Sequence, residues 1–514
     1  MNLDCERFSH EPRHCGGSAN GWRSGKPRPG EPYPDDSQPR ESCGIVAVIA
    51  DEAARVAFFG LFALQHRGQE SAGIATLDKG SIHMHKDVGL VSQVFRDQNL
   101  SALAGSIAIG HTRYSTTGKS SARNAQPFVI DTQYGPLALG HNGNIANAPA
   151  LRKTLLSRGL GLMTGSDSEL LAMMLAGTQG SDWIERIEAA MKEWVGAYSL
   201  VILTAEGVYA VRDPWGFRPL AWGRIDAGGF AVASETSALR VMGCSFYEEI
   251  SPGEILHFDT KGLVQRARAD IDVSHAACSF EYVYFSRPDS VWNGKNIHAV
   301  RRRLGEILAE EAPAAADIVI PVPDSSIAAA IGYARQSGIP FGEGLVKNRY
   351  IGRTFIEPTK ALRRQGVALK FSPLRETLEG ARIVLVDDSI VRGTTTAPLV
   401  KLCRQAGARE VHLRIASPRI LHPCYMGVDM GTPNELIAVG KGEDEIARLL
   451  GADSLAYLSI EGLSEAIGVK GLCRACFDGQ YPIPVDEGFT KESFETERSA
   501  EASGHPETIG RGQV

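Results

Sequence analysis

Residues 381–396, ARIVLVDDSIVRGTTT, constrain the chain more than any other stretch. Ile383, Val384, Leu385 and Val386 are apolar in succession without alternation, the pattern of a strand covered on both faces, and 397–404 resume with helical character. A strand of that kind belongs in an α/β layering. Between strand and helix a polar turn carries two adjacent carboxylates, Asp387 and Asp388, then Gly393, Thr394, Thr395 and Thr396. The acids can accept hydrogen bonds from two vicinal hydroxyls. Gly393 lets the backbone close in, and the amides of 393–396 point at an anion where the next helix begins. A ribose carrying a phosphate presents that combination. Paired acids after a strand also read as a helix cap or as the acidic end of a nucleotide hydrolase, although a cap has no use for so extended a Gly-Thr-Thr-Thr run.

The segment VLVDDSIVRGTTT resembles the 5-phosphoribosyl pyrophosphate (PRPP) signature of the type I phosphoribosyltransferases. The resemblance implies that Asp387 and Asp388 hold the ribose hydroxyls and a Mg²⁺ ion, and that Gly393, Thr394, Thr395 and Thr396 cradle the 5-phosphate. The metal would arrive with the pyrophosphate leaving group and offset its charge. Upstream, 317–334 (DIVIPVPDSSIAAAIGYA) read as strand, loop and helix, and the resemblance puts Ser325 among the Mg²⁺ ligands. Residues 345–356, LVKNRYIGRTFI, carry cations and a glycine that suit a lid closing over pyrophosphate, with Lys347, Arg349 and Arg353 meeting phosphates. A basic loop by itself is more often simply solvated; here the acidic signature downstream favours the lid. Lys370 is a further candidate for phosphate or for a nucleotide inhibitor.

A second chemistry stands in the first half. Cys43 directly precedes a strand-like apolar run, GIVAVIA, a place where cysteine is usually a small buried hydrophobe. Four more segments follow: QHRGQESAG at 65–73, GHTRYSTTG at 110–118, GHNGNI at 140–145 and GSDSE at 165–169. Together they resemble the glutamine amidotransferases of the N-terminal-nucleophile class. If Cys43 becomes the first residue of the mature chain, its own α-amino group can activate the thiol and later protonate departing ammonia. That requires cleavage between Ser42 and Cys43. The resemblance implies that Arg113 pairs with the glutamine α-carboxylate and Asp167 with its α-amino group. Asn142 and the Gly143 amide would form the oxyanion hole. His66, His111 and His141 lie in these motifs without ligand-like spacing, so a metal-site reading is weak. GKS at 118–120 imitates the end of a phosphate-binding loop, but Arg113 stands where that motif needs its first glycine.

Cysteine usage adds a third feature. Nine cysteines in 514 residues, without a secretory leader, argue against a disulfide framework. Cys5 and Cys15 carry no evident role, and Cys244 and Cys403 read as core residues. Cys473 and Cys476 form a C-x-x-C pair in LCRACFDG, and with Cys278 and Cys424 they make four thiols that suit either zinc or an iron-sulfur cluster. The contexts FEYVYFSRPDS, HPCYMGVDM and GLCRACFDGQYP resemble the iron-sulfur branch of the amidophosphoribosyltransferases, in which such cysteines hold a 4Fe-4S cluster.

Most of the chain resembles that family, which implies the following organisation. A disordered propeptide (1–42) precedes an N-terminal-nucleophile αββα glutaminase domain (43–275). A type I phosphoribosyltransferase α/β domain with the cluster cysteines (276–486) follows, then a flexible tail (487–514). The implied reaction hydrolyses glutamine and transfers its ammonia to PRPP, giving 5-phosphoribosylamine for purine synthesis. Purine nucleotides as feedback inhibitors, a homotetramer and a cytoplasmic location come with the resemblance. The net charge of −6 gives no footprint for nucleic acid, and no apolar run is long enough to span a membrane. Three rival families share part of this pattern. An asparagine synthetase should show an ATP-pyrophosphatase loop, which is absent; a hexosamine-phosphate synthase should lack VLVDDSIVRGTTT; a PRPP-sensing regulator has no need for Cys43, Arg113, Asn142 and Asp167.

Overall fold

The structure is a computed structural model that describes residues 43–114, 122–348, 370–428, 430 and 432–485. The expected propeptide and tail, Arg349 and Arg353 lie outside the described residues.

Alternation along one short strand builds the first half. In the strand Gly44–Ile49, Ile45, Ala47 and Ile49 enter one core while Val46 and Val48 enter another. Side chains two apart share a face, so this strand serves two layers at once. It sits inside a seven-stranded sheet ordered Cys244–Glu249, Ala221–Ile225, Phe230–Ala233, Gly44–Ile49, Ile107–Arg113, Ser71–Asp78 and Ser81–Val88. A second sheet of six strands is ordered Gly262–Arg268, Glu254–Asp259, Gly207–Arg212, Gly196–Thr204, Gly135–Ile145 and Phe128–Thr132. The two sheets meet face to face through Ile45, Ile109, Ala138, Val201 and Leu256. Helices cover both outer faces: Ala53–Ala63 and Thr236–Val241 on the first sheet, Ala148–Ser157, Asp167–Gly177 and Trp183–Met191 on the second. The layering is helix, sheet, sheet, helix, as the resemblance implied.

The second half winds helices on both faces of a parallel sheet. Its strands are ordered Ile318–Pro321, Arg382–Asp387, Glu410–Ile415 and Ser454–Tyr457. In the strand Arg382–Asp387, Val384 and Val386 pack toward the helices Ile297–Glu311 and Ile327–Ser337, and Ile383 and Leu385 toward Thr396–Gln405 and Glu443–Leu450. An unbroken apolar run is what such double coverage demands. A small antiparallel pair, Leu345–Lys347 with Phe371–Pro373, stands beside this sheet.

The two halves are joined by more than the chain that links them. The strand Ala277–Cys278 pairs in parallel with Leu472–Cys473, near the end of the described chain. Ala276 N donates to Trp215 O at 2.7 Å and Cys278 N to Phe217 O at 3.1 Å. One apolar cluster gathers Ala197, Trp215 and Phe217 from the first half with Met426, Cys473 and Ala475 from the second.

Candidate active sites

Cys43 lies at the mouth of its strand, buried, with its Sγ 3.5 Å from Tyr114 O. The pairing of Gly44 with Thr112 puts it beside Arg113, the last residue of the neighbouring strand and itself buried. Asn142 and Gly143 come from the other sheet. Gly140 stands close to Ile45 and Gly110, and His111 Nε2 donates to His141 O at 3.0 Å across the gap between sheets. Asn142 and Gly143 follow His141 directly on that strand.

Asn142 is fully buried, and neither atom of its side-chain amide has a hydrogen-bond partner among the described residues. Leaving a buried amide unpaired costs roughly 1–3 kcal/mol, so such a group belongs to a ligand site. Gly143 is obligatory for space, since a Cβ there would stand 1.9 Å from Ala197 O.

Asp167 is the first residue of the helix Asp167–Gly177, whose N-cap Ser166 accepts from Ser168 N. Its Oδ2 accepts from Ile145 N at 3.1 Å. The preceding turn is fixed by Glu169, which accepts from Met163 N, Thr164 N and Thr164 Oγ1. His141, buried between these elements, has Nε2 3.3 Å from Ala197 O and Nδ1 3.1 Å from Ser168 Oγ. The carbonyl assigns the proton to Nε2, so Nδ1 accepts from Ser168. Burial pushes the His141 imidazole down, which keeps it neutral. Gln126 closes the array: its Nε2 donates to Ser168 Oγ at 2.9 Å and its Oε1 accepts from His141 N at 2.8 Å. The motif histidines are thus hydrogen-bonded scaffold. His66 likewise bonds Glu235 Oε1 at 2.7 Å.

Behind this site runs a buried charge array that sequence reasoning missed. Arg67 bonds Glu235 Oε1 at 2.5 Å and also Glu281; Arg218 NH1 bonds Glu281 Oε1 at 3.2 Å. Burial opposes charging Arg67, but Glu281 and Glu235 hold its pKa above the ordinary value. Arg287 N and Ser290 Oγ add donors to Glu235. Arg67 belongs to the QHRGQE motif and Glu281 to FEYVYF, so two apparently unrelated motifs prove to be one structure.

The second site gathers at the carboxyl ends of the parallel strands, where ligands bind in sheets of this kind. Asp387 ends its strand and Asp388 follows, both buried. Asp387 Oδ1 accepts from Ser326 Oγ at 3.1 Å and from Asp388 N at 2.9 Å; Asp388 Oδ1 accepts from Ser389 Oγ at 2.6 Å. Ser325 also hydrogen-bonds the Asp388 carboxyl. Burial, together with Asp388's charge, pushes Asp387 well above the usual carboxylate range. Burial raises Asp388 too, against the pull of Ser325, Ser389 and the Arg301 guanidinium. Asp388 Oδ2 and Thr395 Oγ1 are buried without a hydrogen-bond partner among the described residues. A carboxylate pair held apart from water, with one oxygen unused, fits a divalent cation and sugar hydroxyls. Gly393 adopts φ 72°, and a Cβ there would stand 2.6 Å from Ile437 Cδ1. Thr396 opens the helix Thr396–Gln405, Thr395 is its N-cap, and Thr394 is exposed beside them.

Lys347 Nζ bonds Asp324 Oδ2 at 2.7 Å, in the loop after the first parallel strand. Lys370 lies across the antiparallel pair from it, with Nζ 5.6 Å from the Phe371 ring centre.

Cys278, Cys424, Cys473 and Cys476 line one cavity with Phe217, Phe280 and three further apolar residues. None is in a disulfide. Met426 N donates to Cys424 Sγ at 3.4 Å. Burial pushes the Cys278 thiol up to about 11, against the Arg218 guanidinium, and raises Cys473 and Cys476 as well. Among the described residues, no three His, Cys, Asp or Glu side chains converge as a single-ion metal site would require.

Comparisons with known proteins agree with this fold. A family model described as "Glutamine amidotransferase domain" matches residues 111–241. The amidophosphoribosyltransferase of Synechococcus elongatus is 49% identical over 459 residues, 88% of this chain and 93% of that protein. A solved structure described as the allosteric regulatory enzyme of purine biosynthesis superposes with a TM-score of 0.83 at 45% identity, covering 87% of this chain and 97% of the other. Glutamine PRPP amidotransferase from B. subtilis, complexed with ADP and GMP, gives a TM-score of 0.82 at 44% identity, covering 87% and 99%. With nearly half of its residues identical along nearly the whole length of such a relative, the chain belongs to the amidophosphoribosyltransferases.

Proposed function

We propose that the family's reaction, glutamine-dependent conversion of PRPP to 5-phosphoribosylamine, glutamate and pyrophosphate, divides between the two sites as follows. Cys43 attacks the glutamine amide carbon. Its own α-amine, freed by removal of residues 1–42, takes the thiol proton and returns it to the departing ammonia. Arg113 and Asp167 hold the amino-acid end, and the Asn142 side chain with the Gly143 amide takes the charge that develops on the amide oxygen. Water then hydrolyses the glutamyl thioester. Ammonia displaces pyrophosphate from the anomeric carbon in the second site, where Asp387 and Asp388 hold the ribose. Gly393, Thr394, Thr395 and Thr396 receive the 5-phosphate, and Lys347, Arg349, Arg353 and Lys370 meet the remaining phosphates. Lys347 must then exchange Asp324 for substrate. Asp387, Asp388 and Ser325 would hold Mg²⁺, which when bound offsets the charge of the leaving pyrophosphate.

The carrying observation is the buried, unpartnered amide of Asn142 on the strand that meets the Cys43 strand. Cys43→Ala is the test: glutamine-dependent product formation should vanish while ammonia-dependent formation persists. Intact-mass measurement of active protein should find Cys43 as its first residue, and residue 42 still attached would overturn the base assignment.

The four thiols line one shared cavity, which suits a 4Fe-4S cluster. When bound, the cluster would tie the junction at Cys278 to the end of the chain. A cytoplasmic homotetramer inhibited by purine nucleotides completes the reading. The B. subtilis relative solved with ADP and GMP supports the inhibitor class.

A further inference from the structure

The strand that carries Asn142 and Gly143 is backed by the other half of the molecule. Asn144 Nδ2 donates to Tyr425 O at 2.8 Å, a contact between residues 281 apart in sequence. Gly427 lies directly against Gly143: a Cβ on Gly427 would stand 3.1 Å from Gly143 C, 3.3 Å from Gly143 O and 3.3 Å from Asn144 Cβ. Its φ of 90° also demands glycine. The segment between these contacts is clamped from behind, since Arg218 NH2 donates to Met426 O at 2.9 Å while Arg218 NH1 is held by Glu281. Met426 shares an apolar cluster with Ala197, the strand partner of Asn144.

We propose that residues 424–428 of the transferase half are a positioning element of the glutaminase oxyanion site, fixing the Gly143 carbonyl and, through the Gly143 Cα, the amide on its other side. The inference rests on the oxyanion role given to Asn142 and Gly143 above. They act through the Gly143 carbonyl they pack against, by denying the Gly143 backbone room to shift. A hydrogen bond made only in the transition state is sensitive to displacements well under 1 Å, so loosening or pushing this wall lowers turnover more than substrate binding.

The decisive variant is Gly427→Ala, which presses a methyl group onto the Gly143 peptide from across the domain junction. Full-length protein is assayed for glutamine-dependent and ammonia-dependent product formation, with Asn142→Ala measured in parallel. The expected result is a fall of about tenfold or more in glutamine-dependent kcat, with KM for glutamine and the ammonia-dependent rate within about twofold of wild type. If Asn142→Ala lowers kcat but Gly427→Ala leaves it unchanged, the inference is overturned and the oxyanion reading stands. If Asn142→Ala has no effect, the oxyanion reading itself fails and takes the inference with it. Should Gly427→Ala lose both activities, Asn144→Ala decides, because it deletes the bond to Tyr425 without adding bulk. A kcat loss confined to glutamine supports the proposal; an equal loss of both activities, or none, overturns it.

Discussion

Replacing Glu281 with Gln takes one charge out of the middle of the Arg67–Glu235–Glu281–Arg218 array and changes little else in volume. Glu281 receives both arginines and, at 2.7 Å, Ser286 Oγ. In the variant an amide NH₂ must face guanidinium donors. Arg218 then loses Glu281, its carboxylate partner among the described residues, while Arg67 keeps Glu235. All four groups are buried, so solvent does little to screen the loss. Removing one partner of a buried pair costs about 3–5 kcal/mol. At roughly 2–4 °C per kcal/mol for a unit of about 200 residues, melting should fall by about 6–20 °C, toward the lower figure if the whole chain melts together. Scanning calorimetry at pH 7.5 measures it.

The pH dependence adds a second check. Burial alone would raise both carboxyls; His66 and Arg67 for Glu235, and Arg67 and Arg218 for Glu281, more than reverse it, so both end below their ordinary value. Groups depressed on folding stabilise fully above the unfolded value of about 4.3 and lose that contribution as the pH falls through the folded value. The gap between wild type and Glu281→Gln should therefore be constant from about pH 8 to pH 5.5 and shrink in stronger acid. A variant melting within about 2 °C of wild type, or a gap that closes as pH rises, would refute the reasoning. Arg218→Met with Glu281→Leu, which replaces that pair by apolar side chains, should recover part of the loss.

Two further outcomes are expected. Asp387→Asn keeps an oxygen for Ser326 Oγ and Asp388 N while removing one of two crowded like charges, so substrate-free protein should gain about 0.5–2 kcal/mol yet lose ammonia-dependent transfer. A lower melting temperature would show that the pair is not under electrostatic strain. Anaerobically purified protein should yield four iron and four sulfide per chain, and Cys473→Ser should lose both; zinc in their place would sink the cluster assignment.

Much of this was legible because local pattern encodes local structure. Four apolar residues from Ile383 to Val386 announce burial on both sides, and they do divide between two cores. The run after Cys43 announces a strand, though nothing in it tells that Ile45 and Val46 serve different layers. What stayed hidden depends on distant partners. Arg67 and Glu281 are 214 residues apart, and each alone reads as a solvated charge. The ion pair of Lys347 with Asp324 was equally hidden, because only the folded sheet brings that loop back to it. Arg301, whose charge draws on Asp388, sits on a helix face whose other residues look like ordinary core.

The parallel pairing of Ala277–Cys278 with Leu472–Cys473 has a consequence for how the molecule comes into being. Every strand of the first two sheets is complete by Arg268, so the first half can assemble while the ribosome is still making the rest. Its backing at Gly427 and the strand that seals the junction emerge only afterwards. Order of emergence thus separates the two: the strand that follows Cys43 is made well before the segment that packs against Gly143.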